Sequence, residues 1–202
     1  MSAYRNVIFD WRHKVYTRGD VYLSELRITS NNLEHGIPYI ATNPKEARRV
    51  LESLPIVDFS KYVFIDFGSG KGRMLFVAAE YPFHKIVGIE FATELDAIAK
   101  RNISNYRNPN QKCFEIESVN VDAADHPFPL GDTVVFFCNP FRKPVMEPLL
   151  ARLDSSLQEQ PRDVIIAYVN PRLGTLIEEM RHMKLHTKTK YFNIYRSTLP
   201  MG

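Results

Sequence analysis

The apolar positions of this chain fall into two rhythms. Short, nearly unbroken apolar runs at 62–67, 85–90, 133–138 and 164–169 read as strands buried on both faces. The run at 113–121 alternates instead, with Phe114 and Ile116 against Glu115 and Glu117, and 191–195 alternates like an edge or antiparallel strand. Between these runs the apolar residues recur every three or four positions. Ala47, Val50, Leu51 and Leu54 give a helix at 44–54, with Thr42 or Asn43 as its cap, Pro44 in first position and Pro55 at its end. Met74, Leu75, Val77 and Ala78 give a helix over 71–80, and Leu95, Ile98, Ala99 and Ile103 give one over 93–106 with Thr93 as cap. Helices are also expected at 143–158 and 171–182. Strand–helix alternation of this kind predicts an α/β, doubly wound, mostly parallel sheet with helices on both faces.

Ahead of this pattern, residues 1–42 read as an irregular extension. Tyr4, Trp11, Tyr16 and Tyr22 are interleaved with Arg5, Arg12, Lys14 and Arg18. The extension is either a cap over the substrate side of the main domain, 43–202, or a flank that packs its aromatics on that domain. His35 and Tyr39 stand where a lid would sit.

Composition narrows the class. The 202 residues suffice for one domain with a sizeable core, and 45% hydrophobic with 24% charged residues is ordinary for a globular protein. A net charge of +3 is small, which argues against nucleic acid or a membrane as partner. No apolar run is long enough to span a bilayer, and the N-terminus lacks the apolar core of a signal peptide, so the expected location is cytoplasmic. Cys113 and Cys138 have no metal-type spacing, and the six histidines are scattered, so no metal site is expected. The stretch 181–190 is basic, with Lys184 and Lys188 and no acid; it is a solvated edge or a docking strip for an acidic or nucleic-acid partner.

Chemistry concentrates where three strands end. After 62–67 comes Asp66 followed by Gly68-Ser69-Gly70, a turn through which a backbone can approach a ligand. The helix beyond would offer free N–H groups to a carboxylate or phosphate. Glu90 closes the next strand and can accept from ribose hydroxyls, with Phe91 beside it for a base face. Asp122-Ala123 follows the third strand and suits an adenine edge. A triphosphate loop would need Ser or Thr after Lys71 and a glycine at Ile65. A dinucleotide fingerprint would need glycine at Arg73. Neither holds, and the pattern fits an adenosine that carries a carboxylate.

In order, VFIDFGSGKGR, VGIEF, NVDAADHPFP and FFCNPF resemble the successive motifs of class I S-adenosylmethionine-dependent methyltransferases. They also resemble those of an uncharacterised bacterial group of class I methyltransferases with the DxGSGKGR form, and the first motif resembles that of seven-strand lysine methyltransferases. The resemblance runs over about 39–195. It implies a Rossmann-like seven-strand sheet with an antiparallel last strand and S-adenosylmethionine as cofactor. Asp66, Gly68 and Gly70 would hold the methionine part, Glu90 the ribose and Asp122 the adenine.

In N-methyltransferases of this class, a [DNS]PP[FYW] stretch after the fourth strand holds the target nitrogen. Here Asn139-Pro140-Phe141 stands in that place with one proline where the pattern has two. By the resemblance, Asn139 would accept from the nitrogen and Phe141 would pack on it; the plain alternative is a backbone turn with Phe141 capping the core. The expected activity is methyl transfer to nitrogen on a protein side chain or small molecule. Two rivals are a non-catalytic adenosyl-binding scaffold or partner subunit, and an RNA methyltransferase. The oligomeric state is not legible.

Overall fold

The computed structural model describes residues 2–26 and 33–198, with residues 2–6 and 33 described by backbone alone. The side chains of Tyr4 and Arg5, and the parts of the two expected domains at 27–32 and 199–202, lie outside the described residues.

Seven strands form one sheet: β1 Val63–Phe67, β2 Lys85–Glu90, β3 Ile116–Asn120, β4 Thr133–Cys138, β5 Val164–Val169, β6 Met183–Lys188 and β7 Phe192–Ser197. Their order is β3-β2-β1-β4-β5-β7-β6. The first five run parallel, and β7 inserts antiparallel between β5 and β6. This is the seven-strand Rossmann-like sheet with an antiparallel last strand. Order reverses between β1 and β4, so the loops after these two strands open a crevice at the carboxyl edge.

Strands β1, β4 and β5 are buried on both faces, which explains their continuous apolar runs. Phe64, Phe136 and Ile165 point to one layer, and Ile65, Phe67, Val135, Phe137 and Ile166 to the other. The first layer contains α2 (Pro44–Glu52) and α3 (Arg73–Ala78); the second contains α5 (Lys143–Glu159). Asn43 caps α2 by accepting from the Lys45 N–H at 2.9 Å, with Pro44 at the first position.

Several elements differ from expectation for local reasons. The extension is not irregular: Ser2–His13 forms a helix, α1. Its buried side chains are Phe9, Asp10 and His13, while Val7, Ile8 and Trp11 face outward, so its apolar pattern hides its inner face. The helix expected at 71–80 starts only at Arg73, because Gly72 stands before it at φ +86°. In α4 (Thr93–Asn105) the cap position is Ala92, and Thr93 instead donates to Asn120 at 3.0 Å. The strand expected at 113–121 shrinks to β3, with Phe114 exposed. The helix expected at 171–182 shrinks to α6 (Gly174–Glu178), and β6 takes the residues that follow. That edge strand buries only Met183, so no alternation marks it. No helix among the described residues is long and apolar enough to cross a membrane.

Candidate functional site

The crevice at the carboxyl edge is a cavity of about 970 Å³. Asp66, Gly68, Ser69 and Gly70 line it from the loop after β1, Glu90 and Phe91 from β2, and Asn139, Pro140 and Phe141 from β4. Residues 37–42 of the extension, with Asn43 at the start of α2, form another wall. Two of the named residues lie elsewhere. Asp122 and Ala123 line a second, nearly closed pocket of about 10 Å³, which shares Gly68, Phe91 and Phe141 with the cavity. Asp122 uses one carboxylate oxygen to accept from the Ala124 N–H at 2.9 Å.

The glycine turn is more occupied than its sequence suggests. The N–H groups of Gly68 and Ser69 both donate to the Ile89 carbonyl, at 2.9 and 3.1 Å, and that of Gly72 donates to the Ser69 carbonyl. The Gly70 N–H donates to Glu90 Oε2 at 2.8 Å. These groups are therefore not free for a ligand carboxylate, and α3, only six residues long, begins two residues beyond Lys71. The glycines also serve close packing. A Cβ on Gly68 would stand 2.6 Å from Pro140 Cβ, and one on Gly70 would stand 2.0 Å from Tyr39 Cδ2. The first contact holds the loops after β1 and β4 together; the second seats the extension on the turn.

The extension is built into the site by residues that the turn contributes. Arg73, fully buried, pairs with Asp10 of α1 at 3.1 Å, donates from Nε to the Thr17 hydroxyl and lies over the Phe9 ring at 4.7 Å. Asp10 in turn accepts from the Thr17 and Arg18 N–H groups, each at 2.9 Å. Lys71 donates to the Arg18 and Gly19 carbonyls at 2.8 and 3.0 Å, with its ammonium near the Tyr16 and Tyr39 rings. Farther along, the Tyr39 hydroxyl donates to the Thr17 carbonyl, and Gly36 bridges to Phe141. Lys71 and Arg73 thus have structural partners at positions 10–19, which no local motif could reveal.

Two carboxyls form the cavity floor. Asp66 is 4% exposed and accepts no hydrogen bond among the described residues. Burial, and then the neighbouring Glu90 charge, push it up to about 8. Glu90 is pushed up to about 7 by burial, against the pull of N–H groups from Ala92 and Gly70. Oε1 accepts from Ala92 and Oε2 from Gly70, and lone pairs remain for further donors. The Ser69 hydroxyl is also buried and unpartnered. This floor suits a ligand that brings positive charge and N–H or O–H donors.

Two like turns follow β4 and β5 at the cavity. Asn139-Pro140 follows β4 and Asn170-Pro171 follows β5, with both asparagines in the left-handed region at φ +49° and +50°. The Tyr168 hydroxyl donates to Asn139 Oδ1 at 3.4 Å. Phe141 is largely buried, and most of its ring caps the core. Asn170, Pro171, Arg172 and Lys190 also line the cavity, yet none was singled out as a site residue. The repeated Asn-Pro after an apolar strand was the available signal.

No family model matches the chain, and no curated protein matches it in sequence. Solved structures do match. An RNA methyltransferase from Salinibacter ruber, crystallised with S-adenosyl-L-homocysteine, is 20% identical, with a TM-score of 0.50 over 81% of this chain and 95% of that one. A ribosomal protein L11 methylase from Lactobacillus delbrueckii is 15% identical, with a TM-score of 0.51 over 76% of each chain. A predicted N6-adenine-specific DNA methylase from Listeria monocytogenes is 14% identical, with a TM-score of 0.56 over 79% of this chain and 52% of that one. At these identities the likeness is one of fold.

Proposed function

We propose that this chain is an S-adenosylmethionine-dependent methyltransferase that acts on a nitrogen. The observation that carries the reading is the buried pair Asp66 and Glu90 on the floor of a nucleoside-sized cavity, beside a glycine turn at the switch point of the sheet. Among the described residues Asp66 has no donor or cation beside it, and S-adenosylmethionine carries both an ammonium and a sulfonium. The residues therefore fit the group. Asp66, Ser69 and Glu90 would hold it, with Phe91, Asp122 and Ala123 on the base side once the narrow second pocket opens.

When bound, the cofactor supplies a methyl group on a sulfonium, open to direct displacement. The chain's part is alignment and exclusion of water. Asn139 Oδ1 can accept an N–H from the acceptor while the Tyr168 hydroxyl orients its amide. Pro140 against Gly68 fixes the distance between the acceptor turn and the cofactor turn. The strap at 36–43, seated through Tyr39, closes one wall and forms the cap over the site.

The test is a methyl-transfer screen against proteins, metabolites and RNAs, run on wild type and Asn139→Gly. Glycine keeps the left-handed backbone and removes only the amide. Transfer by wild type that is lost in Asn139→Gly supports the assignment. Equal transfer by the two removes Asn139 from the acceptor site.

A further inference from the structure

The net charge of +3 conceals where the cations stand. Residues 181–198 contain Arg181, Lys184, Lys188, Lys190 and Arg196 and no Asp or Glu, so these 18 residues carry +5 and the other 184 carry −2. The basic segment is the β6–β7 hairpin, and β6 is the open edge of the sheet. Because Val169 pairs with Phe192, the hairpin turn lies at the carboxyl edge, beside the cavity. The Asn170 N–H donates to the Tyr191 carbonyl at 2.8 Å and ties that turn to the second Asn-Pro loop.

Lysines on an edge strand block unwanted strand pairing, and Lys184 and Lys188 alone would need no other account. Arg172 and Lys190 are different. Both lie off the strand, both are exposed, and both line the cavity. None of these four cations forms an ion pair among the described residues. Beside them Tyr191 is 59% exposed, with the Lys190 ammonium 5.5 Å from its ring centre. A bulge in β6 between Leu185 and Thr187 puts Lys184 on one face of the sheet and Lys188 on the other, so the cations at the turn end of the hairpin are Lys188 and Lys190, with Arg172 in the cavity wall. Three free cations around an uncovered ring, at the mouth of a cavity with an acidic floor, have the makeup of a surface for a phosphate backbone with unpaired bases. An acidic peptide would use the cations but leave the ring idle.

We propose that this strip docks single-stranded RNA and that an unpaired base of it enters the cavity as the methyl acceptor. Unpaired bases stand exposed in RNA loops and bulges, whereas a duplex must first extrude one. The acceptor half of the proposal rests on the methyltransferase reading; the docking half does not.

Fluorescence anisotropy with a short mixed-sequence single-stranded RNA, duplex DNA of the same sequence and polyglutamate tests it. The RNA is expected to bind tightest, with log affinity falling against log salt at a slope of about −2 for three phosphate contacts. Lys188→Ala/Lys190→Ala should weaken binding about tenfold at low salt and flatten the slope by about 1.4, whereas Lys184→Ala on the other face should leave both nearly unchanged. Tyr191→Ala should weaken it about tenfold with the slope unchanged. RNA binding no tighter than that of duplex DNA or polyglutamate, or unchanged in all variants, overturns the proposal. Calorimetry of wild type with S-adenosylhomocysteine reports on the cofactor separately: RNA binding without cofactor binding removes the acceptor half and leaves the docking strip.

Discussion

Gly70 and Tyr39 are in contact so close that a Cβ on the glycine would stand 2.0 Å from Cδ2 of the ring. Gly70 also sits at φ +56°, where a side chain adds strain of about 1–2 kcal/mol. Gly70→Ala should therefore destabilise the protein by more than that strain, since the ring must also move. Adding Tyr39→Ala should recover part of the loss, giving a coupling of about 1 kcal/mol in urea denaturation. Additive losses would mean that the ring and the turn do not share this space.

The Arg73–Asp10 pair makes a second prediction. Both side chains are about 1% exposed. Asp10→Asn leaves a buried guanidinium without its anion and should cost about 3–5 kcal/mol. Trp11→Ala on the outward face of α1 should change stability by less than about 0.5 kcal/mol, since Trp11 is 83% exposed. Denaturant titration of the two variants decides whether α1 is part of the folded domain or an appendage.

The floor carboxyls give the protein a pH dependence. Asp66 is raised from an ordinary 3.8 to about 8, and Glu90 from 4.5 to about 7. Between about pH 4 and pH 8 the folded chain thus keeps protons that the unfolded chain has released, so the contribution of these groups to stability falls as pH rises through that window. Asp66→Asn should flatten the upper part of the fall. Melting temperatures at the two ends of the window, for both proteins, measure it.

Asn139 separates backbone from side-chain roles. At φ +49° Asn is tolerated better than Ala, because its short polar side chain can bond locally, so Asn139→Ala should lose about 1 kcal/mol of stability and Asn139→Gly should lose little. Both should keep cofactor affinity and lose transfer. Thermal melts with parallel cofactor titrations distinguish the two effects.

Burial decided what could be read from sequence. Lys85–Glu90, Thr133–Cys138 and Val164–Val169 have the expected bounds, because five or more of the six residues in each are largely enclosed. α1 and β6 were missed for the converse reason: one buries Asp10 and His13, and the other buries almost nothing. At the site, Asp66, Gly68, Glu90 and Asn139 converge as their places after strands imply. The work of Lys71, Arg73 and Tyr39 was hidden, because their partners lie more than 20 residues away in an extension with no recognisable pattern. The small net charge is a sum and says nothing about position: the five cations of 181–198 were not visible in it.

Calorimetric titration of the wild-type chain with S-adenosylhomocysteine tests the central claim most directly. The floor built from Asp66 and Glu90 predicts saturable binding with a Kd well below about 1 mM, weakened at least about tenfold in Glu90→Ala. Heats that stay at the dilution baseline up to millimolar ligand, with the protein folded, would contradict it.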